Sequence, residues 1–196
     1  YKNLTVNASS VFDVHEPIIG HIKNGVVTGI ECNYMGAKVG KAISEGIMDK
    51  PVIFRSHGGR ASDMEKGTSK IDIAFIAAPT SDDMGNCTGK FGKSACGSIG
   101  YAFADAMNAK KVVVITDNLV EYPLVDFSIP EVYVDYVVAV DQIGDPAGIV
   151  SGTTKITRDP VGLKMASYAA KVIDASGLLK DGFSFQTGAG GATLAT

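Results

Sequence analysis

Tryptophan is absent from this 196-residue sequence, and cysteine is scarce, with Cys32, Cys87 and Cys96 its only three. An odd set with no close pair excludes a disulfide framework and a zinc knuckle, so no metal site is expected. Long apolar runs are missing too: none approaches the ~20 residues that a bilayer demands, and no secretory pattern is seen, which excludes a membrane role. Reduced cysteines without an anchor read as cytoplasmic. Nor is there an excess of positive charge. Lys and Arg total 18 against 21 Asp and Glu, for a formal net charge of −3, and the cations are scattered, so nucleic acid is not a partner. An anionic substrate has to be met by local cations or backbone N–H groups, because the field of the whole molecule will not attract it.

What is present suits a globular enzyme. At 45% hydrophobic and 20% charged, residues 1–196 have the size and composition of a single domain with a sizeable core. Short apolar runs alternate with helical patterns: Val26 to Tyr34 extended, Val39 to Met48 helical, Val52 to Phe54 and Ile71 to Ala77 extended, Gly97 to Met107 helical, Lys111 to Thr116 extended. The last of these, KVVVIT, has no polar alternation, as expected of a parallel strand buried on both faces, and Tyr133 to Val140 is a second candidate. Asp159-Pro160 opens the clearest helix with a capping Asp and a first-turn Pro, and Gly177 ends it. Gly182 to Thr187 then reads as a strand emptying into a glycine loop, whose following helix stops at Thr196. With Tyr1 in place of a methionine at its start, the sequence reads as a fragment truncated just after that loop.

Three segments carry candidate chemistry. RSHGGR at Arg55 to Arg60 follows an apolar strand; adjacent glycines allow close backbone approach, and Arg suits carboxylates bidentately, although spacing alone favours a tight turn with exposed arginines. SDDMGN at Ser81 to Asn86 lies past the carboxyl end of a strand, where ligands gather in parallel sheets. Its Asp82 and Asp83 also fit a plain Asp-rich turn, and no catalytic role follows from spacing. QTGAGG at Gln186 to Gly191 aims successive N–H groups at one point, as an anion or oxyanion site does. A dinucleotide fingerprint needs glycine where Thr193 stands.

Taken in order, HIKNGVV (His21 to Val27), RSHGGR, KIDIAFIAAP (Lys70 to Pro79), GKSACGSIGYA (Gly92 to Ala102) and FSFQTGAGGA (Phe183 to Ala192) closely resemble the citrate lyase α-chain family, nearly end to end. The looser pattern resembles CoA transferases in general. The resemblance implies an α/β fold of the CoA transferase and sugar-phosphate isomerase type, a mainly parallel sheet with flanking helices, in a longer two-domain chain. It implies acyl exchange: citrate plus an acetyl-carrier thioester gives citryl thioester plus acetate. No tightly bound cofactor is implied. The acyl donor is a phosphopantetheine-type, CoA-derived thioester on a γ-subunit acyl carrier protein, replaceable by acetyl-CoA, and a β subunit cleaves the citryl group.

The chemistry suits the motifs. Citrate brings three carboxylates, and a weak carboxylate nucleophile must attack a thioester carbonyl, so anions have to be held together and an oxyanion stabilised. Ser56, His57, Gly58, Gly59 and Arg60 are the expected citrate site. Arg60 is expected to serve binding and not stability. Thr187, Gly188, Ala189, Gly190 and Gly191 are the expected thioester or oxyanion site. CoA transferases commonly carry Asp-Glu where Asp82-Asp83 stand, and their covalent glutamate has no counterpart here, which keeps open the alternative of a non-catalytic anion- or CoA-binding module on the same fold.

Overall fold

The computed structural model describes residues 1–147, 156–186, 188 and 190–196. They form two compact units, Tyr1–Gly144 and Asp145–Thr196, where the composition suggests one domain.

In the first unit, strands β1 (Leu4–Asn7), β3 (Val27–Cys32) and β5 (Ile53–Phe54) form a three-stranded parallel sheet in the order β1-β3-β5. β2 (Ser10–Val11) pairs in parallel with β4 (Tyr34–Met35) beside it. Helices α1 (Ile18–Lys23) and α2 (Ala37–Ala42) accompany these strands. Their core gathers Val11, Ile22, Val27, Ile30, Cys32, Val39 and Met48. A second parallel sheet has the order β11-β9-β6, from β6 (Ile71–Ala78), β9 (Ala109–Thr116) and β11 (Tyr136–Ala139). Helix α4 (Ala102–Asn108) buries Ala106 in its core. Helix α3 (His57–Glu65) leaves the first sheet at β5 and sends Met64 into that second core. Arg60 and Met64, one helical turn apart, are the buried residues of α3. A smaller sheet of β7 (Thr80–Asp82), β8 (Cys87–Thr88) and β10 (Leu119–Val120) follows β6.

The architecture is thus α/β, mainly parallel with flanking helices, and the predicted strands over 26–34, 52–54, 71–77 and 111–116 all have counterparts. Three expectations change. KVVVIT is not buried on both faces: Val112, Val114 and Thr116 point into the core while Val113 and Ile115 remain part-exposed. The helix expected from Gly97 begins at Ala102, because Gly97 and Gly100 hold left-handed φ of +88° and +61° that no helix continues through. Residues 182–186 form no strand, having no ladder partner among the described residues.

The second unit contains the capped helix as read from the sequence. It spans Pro160–Ala175, Asp159 accepts the Gly162 N–H at 2.7 Å, and Gly177 stops it at φ +67°. Among the described residues no helix is long and apolar enough to cross a membrane.

Candidate functional site

RSHGGR forms the N-terminal end of α3, directly past the carboxyl end of β5. Ser56 is the N-cap: extended at φ −67°, ψ 164°, it accepts the Gly59 N–H on Oγ at 3.0 Å. Gly59 is glycine for that reason, since a Cβ there would lie 2.8 Å from Ser56 Oγ. Nothing comes within 4 Å of the place where a Gly58 Cβ would sit. Helix geometry leaves the first N–H groups without intrahelical acceptors. The cap satisfies Gly59, and the Arg60 N–H bonds the Ser56 carbonyl. Those of His57 and Gly58 remain as outward donors at the positive end of the helix dipole.

His57 is held from two sides. Asn33, oriented by Ser10 Oγ donating to its Oδ1 at 2.8 Å, places its amide nitrogen 2.7 Å from His57 Nε2. That assigns Nε2 as acceptor and puts the ring proton on Nδ1. The Tyr101 ring lies against the imidazole at 5.0 Å between centroids, and the Arg60 guanidinium sits 5.7 Å from the same Tyr101 ring.

Arg60 is not free to meet a ligand. It is 4% exposed; Nε donates to Asn7 Oδ1 at 2.7 Å, Nη1 donates to Asp105 Oδ2 at 2.8 Å, and Nη2 donates to the other Asp105 oxygen. Arg55 is likewise engaged, with Nη1 donating to Glu31 and Nε to Asp63, each at 2.6 Å. Asn7 and Ser69 complete the network by donating to Glu31 at 3.1 Å each. Three carboxylates, those of Glu31, Asp63 and Asp105, outnumber the two guanidinium groups. The hydrogen bond and charge of Arg55 hold the Asp63 carboxyl below its usual range. The positive charge of both arginines is therefore more than balanced within the cluster, and the groups left facing outward are the N–H groups, Ser56, His57 and Asn33.

The SDDMGN turn is closed on itself. Asp82 Oδ1 accepts the N–H groups of Met84, Gly85 and Asn86 at 3.1, 2.8 and 2.9 Å, while Oδ2 accepts Asn86 Nδ2 and the Leu124 N–H at 2.9 Å each. Burial raises the Asp82 pKa, but these bonds outweigh it and leave it below its ordinary value. Asp83 is exposed.

Of the glycine loop, Thr187 and Ala189 lie outside the described residues. Gly190 caps a short helix, Gly191–Leu194, with extended backbone at φ −84°, ψ 150°. Thr193 Oγ1 lies 2.7 Å from the carbonyls of both Gly188 and Gly190. A Cβ would stand 3.9 Å from that hydroxyl at Gly188 and 3.4 Å at Gly190. At Gly190, neither backbone conformation nor close packing demands glycine.

Asn7, Asn33 and Asp105 escape the sequence reading, for none sits in a glycine- or charge-rich motif, and Tyr101 lies within GKSACGSIGYA without a role that the motif reveals. Among the described residues no group of three or more His, Cys, Asp or Glu side chains is arranged to hold a metal ion.

Parallel sheets with flanking helices give the chain a CoA-transferase-like fold. The fold agrees with that of an acyl-CoA transferase from Escherichia coli O157:H7 solved as a thioester complex with CoA, at TM-score 0.59 and 16% identity over 86% of this chain and 45% of the other. More narrowly, residues 1–196 match the family model "Citrate lyase, alpha subunit (CitF)" throughout, and the chain belongs to that family. It is 49% identical to the citrate lyase alpha chain of Haemophilus influenzae over 195 residues, covering all of this chain and 39% of the relative. It is 56% identical to the alpha subunit of citrate lyase from Streptococcus mutans, solved in complex with citrate, at TM-score 0.87 over 99% of this chain and 38% of the other. The chain thus spans little more than a third of these relatives.

Proposed function

We propose that the chain is the citrate-recognising part of a citrate lyase α chain, acting in citrate:acyl-carrier exchange. The observation that supports this most directly is the 56% identity, over 99% of these residues, to an α subunit that binds citrate. In the exchange, a citrate carboxylate oxygen attacks the acetyl thioester carbonyl, forming a mixed anhydride and releasing thiolate. The thiolate then attacks the citryl carbonyl, giving citryl thioester and acetate. Each attack passes through a tetrahedral oxyanion that aimed N–H donors stabilise.

For citrate, the groups on offer are the His57 and Gly58 N–H donors, Ser56 and His57. Arg60, through Asp105 and Tyr101, shapes this corner from behind. For the thioester, the proposal falls on Thr187 to Gly191, because Gly188 and Gly190 leave room that neither φ nor neighbours require, which suits close approach of a ligand. The partners in this reading are citrate, acetyl-CoA or the γ-subunit acetyl carrier as donor, and the β subunit as the next enzyme, in the cytoplasm. The test is acetyl-to-citrate exchange from acetyl-CoA by an α chain of full relative length. A chain that binds citrate but transfers no acetyl group contradicts the reading.

A further inference from the structure

We infer that Ser10 and Asn33 are positioning residues that fix His57 in its Nδ1–H tautomer. Given the citrate site proposed for Ser56 to Gly58, on which this rests, the ring then meets a citrate carboxylate as a hydrogen-bond donor and not as a base. Ser10 Oγ donates to Asn33 Oδ1 at 2.8 Å, and the Asn33 amide nitrogen lies 2.7 Å from His57 Nε2. An amide nitrogen can only donate, so Nε2 accepts, and a neutral imidazole that accepts at Nε2 carries its proton at Nδ1.

Backbone bonds hold this chain of contacts in place. The Asn33 N–H bonds the Ser9 carbonyl at 2.8 Å, and the Arg55 N–H bonds the carbonyl of the neighbouring Cys32 at 2.9 Å. Asn33 is thereby tied to the start of β2 on one side and to the approach to α3 on the other. Ser10 is paired in the β2-β4 ladder with Tyr34, the residue after Asn33. The Ser56 cap sets the first turn of α3, and the Tyr101 ring lies against the imidazole. Without the amide, the ring proton would be shared between the two nitrogens, and Nδ1 would present a lone pair for part of the time. An ionised carboxylate only accepts, so it needs a donor there. The proposed exchange also gives His57 no proton to take, since the attacking citrate oxygen is already ionised and the sulfur leaves as thiolate. A ring held as a donor fits both demands.

The test uses an α chain of full relative length with isotopically labelled histidine, the His57 signals being assigned by their loss in His57→Gln. Ring-nitrogen NMR shifts of the citrate-free chain, at mildly alkaline pH where imidazole is neutral, should show Nδ1 protonated and Nε2 bare. Ser10→Ala frees the Asn33 amide to turn its carbonyl towards the ring. The share of that tautomer should fall, and calorimetric citrate affinity should drop about 3- to 10-fold, the worth of one hydrogen bond. Ser10→Thr keeps the hydroxyl and should retain both. Asn33→Asp offers the ring acceptors only and should move the proton to Nε2; it is read by NMR alone, because its charge opposes citrate directly. A wild-type ring protonated at Nε2 overturns the inference, as does a tautomer that Ser10→Ala and Asn33→Asp both leave unchanged. A shifted tautomer with unaltered citrate affinity overturns the donor role. Should Ser10→Ala fail to fold, Asn33→Leu reads the same two quantities with the same expected losses. Absence of citrate binding by the wild-type chain contradicts the citrate reading, and the donor role with it, while the ring shifts still decide the tautomer.

Discussion

The turn around Asp82 and the corner around Ser56 look alike as sequence: each follows a strand and mixes charge with glycine. In the fold they are opposites. At Asp82 five donors converge on one carboxylate with 0% exposure, so no lone pair is left for chemistry. At Ser56 the charged side chains turn inward and satisfy one another, and what faces outward is backbone N–H and an imidazole. A charged residue in a motif is thus a ligand contact only when its neighbours leave it unpaired, and the comparison can be attacked from either side.

The largest effect is expected on the closed side. Asp82→Ala strands buried donors, including the Asn86 amide and three N–H groups of its own turn, and should cost about 3–5 kcal/mol in chemical denaturation. A loss below 1 kcal/mol would mean that the turn does not depend on the carboxylate.

Next comes Arg60→Ala, which leaves Asp105 part-buried and without its guanidinium partner and should cost about 2–4 kcal/mol of stability. This reverses the sequence-based expectation that Arg60 matters to citrate and hardly to folding. Unchanged stability combined with lost citrate use would restore the direct contact. The reason for the reversal is range. The Asn7 partner lies 53 positions away and Asp105 45, beyond anything that spacing reveals, whereas the Asp159 cap reaches only three residues and was legible. The β/α alternation was legible for the same local reason. Which face of KVVVIT stays open was not, because it depends on what packs there.

Ser56→Ala removes one cap, and about 1 kcal/mol is expected. The helix start should fray, and citrate affinity should fall more than that figure alone implies, because the N–H donors lose their fixed direction. Equal losses in stability and binding free energy would argue against a directional role.

The pH dependence separates the hydrogen-bonded and buried groups more gently. Asp82 and Asp63 titrate below their ordinary values in the fold. Their stabilisation is therefore present above the unfolded value near ~3.9 and is lost as pH falls through the lower folded values. Cys87 is pushed up to about 12, chiefly by burial and then by the Asp82 charge. Its contribution is complete below the unfolded value of 9.0 and is lost as pH rises through about 12. Denaturation midpoints should drop on both limbs, and Asp82→Asn should flatten the acid one. Under native conditions one thiol, the exposed Cys96, should react with a thiol reagent while buried Cys32 and Cys87 stay silent. Three fast thiols would contradict the burial.

The most direct test of citrate recognition by the open end of α3 is calorimetric citrate binding to an α chain carrying Gly58→Val. A side chain there enters unoccupied space, so the melting temperature should stay put or rise slightly as glycine leaves a helix, while citrate affinity should fall at least ~10-fold, equivalent to about 1.4 kcal/mol. Unaltered citrate affinity in a folded Gly58→Val chain would show that citrate binds elsewhere.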